Sequence, residues 1–269
     1  MLDKNNHPEL VAQLTEGIGA LTSSEEWQRY LGFQSRFHHY SFGNVLLIAA
    51  QRHEASRVAG FNAWRGLNRF VRKGERAIWI LAPMVYKTVE DGEDDRVIRG
   101  FKFVPVFDIA QTDGEELPSV CNRLEGDDPR GLYGRLVTVA RSCGFTVEDH
   151  DFNGGANGDC CHDNRRIRVE TTNTAAQRVK TLAHELAHAL LHQSCDNRVL
   201  AELEAESTAY VVCHALGLDS GDYSFGYVAT WAGGGDQAIS GIRASCDRIQ
   251  KAAAAILQAI EPVADDEAA

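Results

Sequence analysis

Leu10, Val11, Leu14, Ile18 and Leu21 recur at three- and four-residue intervals and predict helix over residues 5–31. Thr22, Ser23 and Ser24 break that stretch and restart it. Hydroxyl caps followed by Glu25 and Glu26 suit a helix N-terminus, whose free N–H groups favour acids. The apolar run Val45 to Ala50 predicts a further helix ending near Gln51. The period then changes. Ala77 to Pro83 reads as a buried strand ended by proline, and Met84–Val89 and Val97–Asp108 read as further strands. The acidic turn over 90–95 joins these last two into a hairpin. Later come a helix over 132–143, a strand at 145–147, a Gly/Asn-rich turn at 153–158 and a strand at 166–170.

The most regular pattern follows. Val179, Leu182, Ala183, Leu186, Ala187 and Leu190 mark the buried face of a helix, and Thr174 with Gln177 has the form of a capping box at its start. A second helix over 198–216 stops at Gly217, a usual C-cap. The order of elements predicts an α+β chain.

The net charge of −11 excludes a protein that coats nucleic acid by bulk charge. Its distribution is uneven, with +4 over residues 1–87 and −15 over 88–269. That asymmetry predicts two domains with different partners. Turn formers and acids over 111–131 mark the linker, giving domains at 1–112 and 132–262, a linker at 113–131 and an acidic tail at 263–269. No apolar run reaches the length of a membrane span and the N-terminus lacks a signal-peptide core, so the expected location is the cytoplasm. Seven cysteines without regular spacing fit reduced thiols. Cys160, Cys161 and His162 lack a C-x-x-C partner and are read as structural.

The buried-face helix carries His184-Glu185-Leu186-Ala187-His188, the His-Glu-x-x-His spacing of zinc peptidases. Residues four apart sit one turn above each other, so His184 and His188 can grip one ion from one face. Glu185 lies beside them as the general base, outside the ligand set. His192 is two turns from His184, about 12 Å by helix rise, too far to share that ion. It is read as a surface residue or a hydrogen-bonding neighbour. A zinc hydrolase site needs a third protein ligand. Glu202 and Glu206 share a face of the next helix. Glu202 is the expected ligand, with Glu206 hydrogen-bonding a ligand histidine, and the reverse assignment is the alternative. Glu204 points elsewhere and is read as solvated or packed. Tyr223, Tyr227 and His214 are candidates for an oxyanion donor, with packing the favoured reading of each.

Residues 57–76 hold six Lys and Arg against one acid, interleaved with Phe61, Trp64 and Phe70. Basic grooves with aromatic faces bind single-stranded nucleic acid. Equally, the aromatics can be core and the arginines a solvated face. Tyr40–Ile48, Val58–Trp64, Val71–Glu75, Ile80–Pro83, Val106–Thr112, Thr181–His188 and Ala201–Glu206 run in the order seen in the ArdC-type antirestriction proteins of plasmids and phages, which this chain resembles. The resemblance implies an N-terminal α/β single-stranded-DNA-binding domain, a zincin-like metallopeptidase domain and one zinc ion. The second domain is also similar to ImmA/IrrE peptidases, whose glutamate ligand aligns with Glu202. It implies a protein of a mobile element that protects incoming single-stranded DNA and acts on a protein substrate. The alternatives are a DNA-binding protein with structural zinc, or a repressor-cleaving peptidase. Candidate DNA contacts are Arg36, Tyr40, Asn44, Trp64, Arg69, Arg72 and Lys73. Gly43 departs from the asparagine common in the family.

Overall fold

A computed structural model of the chain describes residues 8–21, 23–90, 93–116, 131–153, 155–194, 197–218 and 236–260. The first part holds α1 (Pro8–Ala20), α2 (Ser24–Gln34), α3 (Phe42–Gln51), β1 (Val58–Ala59), α4 (Phe61–Gly66), β2 (Arg69–Val71), β3 (Ile78–Glu90), β4 (Glu93–Asp108) and β5 (Thr112–Gly114). Then come α5 (Leu132–Ser142), β6 (Thr146–His150), β7 (Gly158–Cys161), β8 (Arg166–Glu170), α6 (Ala175–Leu191), α7 (Arg198–Ala215) and α8 (Asp236–Ile260). They form two compact units, one of Met1–Ala20 with Tyr40–Pro118 and one of Leu21–His39 with Ser119–Ala269. No helix among the described residues is long and apolar enough to cross a membrane.

In the first unit β1, β4 and β3 form an antiparallel sheet in that order, and β2 pairs with β5. The expected break at Pro83 does not occur. β3 runs through it to Glu90, and the register with β4 shifts between Pro83 and Val85. Proline cannot donate to a ladder, and a bulge absorbs the missing bond without ending the strand. β3 lies at the sheet edge, where unpaired backbone groups must find partners. Two side-chain amides of α3 supply them. Asn44 donates to Leu81 O and accepts from Leu81 N, both at 2.8 Å, and Gln51 does the same for Trp79 at 2.9 Å. The buried helix face comprises Leu10, Leu14 and Ile18 of α1, with Val45, Leu47 and Ile48 of α3 beside it. The acidic linker expected from residue 113 begins later, since Asp113 and Gly114 pair with Phe70 and Arg69.

The second unit takes in α2, whose start is capped by Ser23 accepting from Glu26 N. Trp27 of α2 is fully buried and its indole N–H donates to Ser207 Oγ of α7 at 2.9 Å. A boundary at residue 112 therefore misses that residues 21–39 pack with the later part of the chain. β6 and β8 are parallel, β7 is antiparallel to β8, and β6 and β7 are the outer strands among the described residues. β7 follows directly on the Gly/Asn-rich turn expected at 153–158, a short strand that the sequence reading did not include. α6 begins at Thr174, whose hydroxyl accepts from Gln177 N at 3.3 Å. The capping box is half made, as the Gln177 amide turns instead to Thr181 Oγ1. α7 ends before Gly217, which takes a left-handed φ of 76° suited to glycine. The tail at 263–269 and Tyr223 and Tyr227 lie outside the described residues.

Candidate metal centre

Val179, Leu182, Ala183, Leu186 and Ala187 are wholly buried and seat α6 against its neighbours. Burial of that stripe turns the opposite face, with His184 and His188, towards α7. Their Nε2 atoms stand 3.1 Å apart. Glu202 Oε2 reaches across from α7 to 3.4 Å from His184 Nε2 and 3.7 Å from His188 Nε2. Three ligand atoms thus converge within 4.8 Å, the one such grouping among the described residues. Two imidazoles and a carboxylate suit a divalent cation. Glu206, one turn on, accepts from His184 Nδ1 at 3.1 Å and pairs with Lys180 Nζ at 3.1 Å. A proton on Nδ1 leaves the Nε2 lone pair of His184 aimed at the cluster. The structure thus brings His184, His188, Glu202 and Glu206 together.

Burial pulls the His184 imidazole down, but hydrogen bonds to Glu202 and Glu206 outweigh it and lift it to about 9. The bonds from His184 and His188 hold the Glu202 carboxyl well below the usual range. At pH 7 the metal-free site thus carries a proton on His184 that ligation must displace. Metal affinity is expected to rise about tenfold per pH unit from 7 to 9 and then level off. Titration calorimetry in buffers of different ionisation enthalpy reads the released proton. An affinity that does not change with pH contradicts this.

Glu185 lines the same cleft, of about 500 Å³, with Asn157, Asp159, Cys160, Thr181 and Arg198. Burial pushes its carboxyl up to about 7; His184 pulls it down while Glu202 and Asp159 push it further up. β7 forms the wall beside it. A side chain at Gly158 would lie 2.6 Å from Thr181 Cγ2 and 3.1 Å from Glu185 Oε1, so only glycine lets the strand approach this closely. Cys160 also faces the cleft, and burial pushes its thiol up to about 12, which keeps it uncharged. Cys160 and Cys161 stand outside the ligand cluster.

Of the two readings of Glu204, solvated or packed, the structure shows the packed one, with the carboxylate buried and bonded by His192, Ser245 and Arg248. His192 is buried beside it, with 5% of its side chain exposed. A carboxylate on an otherwise apolar helical face carries no sequence sign that an arginine 44 residues later will meet it. His214 bonds Ser35 Oγ and stacks on Tyr210, a packing role.

The candidate DNA contacts fare unequally. Trp64 is buried with its indole N–H on Phe107 O at 2.8 Å, Asn44 is committed to β3, and Arg69 is buried against Thr112, Gly114 and Glu115. These three serve the fold and offer no face to a ligand. Tyr40 donates to Val58 O and is half-buried. Arg72 is exposed but held by Glu75 and Asp113. Lys73 is exposed, and Arg36, exposed over the Phe33 ring, belongs to the second unit. Within residues 57–76 the exposed aromatics are Phe61 and Phe70, at 48% and 56%, and Arg65 and Arg76 are exposed too. Alternation along Arg69-Phe70-Val71 was the available signal, since a strand that buries Arg69 must turn Phe70 outward.

Residues 4–117 match the family model described as the N-terminal domain of anti-restriction factor ArdC, and residues 139–213 match the IrrE N-terminal-like domain of the M78 peptidase family. The first part of the chain carries an ArdC-type N-terminal domain. The fold of the chain is similar to that of ArdC from plasmid R388. The Mn(II)-bound structure gives a TM-score of 0.56 at 20% identity over 96% of this chain and 99% of that one. The metal-free structure gives 0.53 at 23% over 82% and 85%. An uncharacterized protein of Bacillus anthracis, pXO2-81, is 25% identical over 92% of this chain, which spans about half of that protein's length.

Proposed function

We propose that this ArdC-type chain is a metal-dependent peptide hydrolase joined to a unit that binds single-stranded DNA, acting in the cytoplasm to protect incoming DNA of a mobile element. The observation that carries the hydrolase reading is the convergence of His184, His188 and Glu202 in an open cleft beside buried Glu185. Three protein donors leave a position for water, as hydrolytic centres require and structural zinc sites do not. A divalent cation, zinc in our reading, supplies Lewis acidity that acidifies water and polarises a carbonyl. Glu185 takes the proton of the attacking water and returns it to the leaving amine. His184 and His188 are held in the ligating orientation, the first by Glu206. The edge of β7, unpaired among the described residues, suits an extended peptide whose backbone would pair with the strand across the cleft.

Cells making the wild type are compared with cells making Glu185→Gln, and protein termini are sequenced. New termini confined to the wild type are expected and name the substrate. Identical termini in both overturn the hydrolase reading.

For DNA, the exposed Phe61 and Phe70 with Arg65, Lys73 and Arg76 support a stacking platform on a basic surface. Each stacked base contributes about 1–3 kcal/mol, so Phe61→Ala with Phe70→Ala should weaken oligonucleotide binding by about 30-fold or more. Fluorescence anisotropy with a labelled single strand at two salt concentrations measures it. Salt-insensitive binding, or none, removes the DNA from the proposal.

A further inference from the structure

Among the described residues no carboxylate pairs with His188 Nδ1, whereas Glu206 pairs with His184 Nδ1. His188 Nδ1 stands 2.9 Å from Nδ1 of His192, at the C-cap of α6. His192 Nε2 in turn lies 3.2 Å from Glu204 Oε2. Glu204 receives the Ser245 hydroxyl at 2.5 Å and the Arg248 Nε at 3.0 and 3.1 Å, and Arg248 also reaches Ser245 Oγ. A line of hydrogen bonds therefore runs from His188 through His192 to an ion pair with α8.

Only one placement of protons suits this line when His188 ligates. A neutral imidazole carries one N–H, and a ligating Nε2 must be bare, so the His188 proton sits on Nδ1. His192 Nδ1 must then accept, which puts its proton on Nε2, aimed at Glu204. The reverse placement needs a protonated Glu204 and leaves hydrogen on His188 Nε2, where it blocks ligation. The facing guanidinium of Arg248 opposes that form.

We propose that His192 and Glu204 are positioning residues, a relay that fixes the tautomer and ring orientation of His188, with Ser245 and Arg248 anchoring its far end. The proposal rests on the reading of His188 as a metal ligand. A plain staple between α7 and α8 would need Glu204 and Arg248 but not His192.

The test is metal affinity of the full chain by chelator competition with Zn(II) and with Mn(II). Removal of a group that orients a metal-bound histidine typically weakens affinity 10–100-fold. His192→Leu is expected to fall in that range. His192→Gln, whose amide can accept from His188 and donate to Glu204, should recover most of the loss. Equal affinities for wild type, Leu and Gln variants overturn the relay, and so does a Leu variant that binds better than the Gln variant. A wild type that binds neither metal overturns the ligand reading itself, which the same titration distinguishes. The wild type also permits a test without mutation, through nitrogen NMR of the zinc-loaded, histidine-labelled chain. The expected pattern is Nδ1–H on His188 and Nε2–H on His192; the opposite tautomer on His192 overturns the proposal.

Discussion

Glu185→Gln should lower peptide hydrolysis by about 10²–10⁴-fold while leaving metal affinity within a few-fold of the wild type. Glutamine keeps the shape of the side chain and its place in the cleft, but cannot take a proton. The carboxyl is buried, and in the metal-free protein that burial pushes it up to about 7. A cation held one side chain away favours the ionised form, so the loaded protein has its base ready at neutral pH. The direction of pH dependence follows. The rate should climb as Glu185 loses its proton, with the midpoint below 7 in the loaded protein. Initial rates on a cleavable peptide between pH 5 and 8 check both the fall and the limb. A Glu185→Gln variant with wild-type rate would remove Glu185 from the chemistry.

The second large effect concerns stability, not catalysis. Trp27→Ala should destabilise the second unit by about 3–5 kcal/mol, the usual cost of emptying a large buried aromatic site. The indole is fully enclosed and its N–H satisfies Ser207, so truncation also leaves a buried hydroxyl with one fewer partner. Trp27 lies more than a hundred residues before α6, in a stretch whose composition places it with the first domain. Denaturant unfolding followed through a probe in the second unit measures the change. A loss below 1 kcal/mol would mean that α2 is not part of that core. A fragment starting after the acidic linker, lacking α2, should show the same weakness.

Local patterns were readable in the sequence and meetings between distant residues were not. The stripe from Val179 to Ala187 and the four-residue spacing of His184 and His188 depend only on helix periodicity, and both appear in the structure as written. The Glu202–Glu206 spacing was also local, although which one faced the histidines depended on how α7 crosses α6. Trp64 illustrates the opposite case. Its place among arginines suggests a surface, yet α4 turns its indole inward to Phe107, and the neighbouring Phe61 and Phe70 are left outside. Asn44 reads as a candidate DNA contact and Gln51 as an ordinary polar residue ending an apolar helix. Their amides close the edge of β3, a need that arises only once the strand order is known. The link of His192 and Glu204 to Arg248 was hidden for the same reason, since Arg248 arrives from α8.

Everything proposed for the second unit depends on a divalent cation held by His184, His188 and Glu202. Anomalous diffraction from crystals of the full chain grown with Zn(II), recorded on both sides of the zinc absorption edge, tests this directly. The expected result is one zinc peak about 2.0–2.2 Å from the Nε2 atoms of His184 and His188 and from a carboxylate oxygen of Glu202. A peak bound by Cys160 and Cys161, or no peak between α6 and α7, would contradict it.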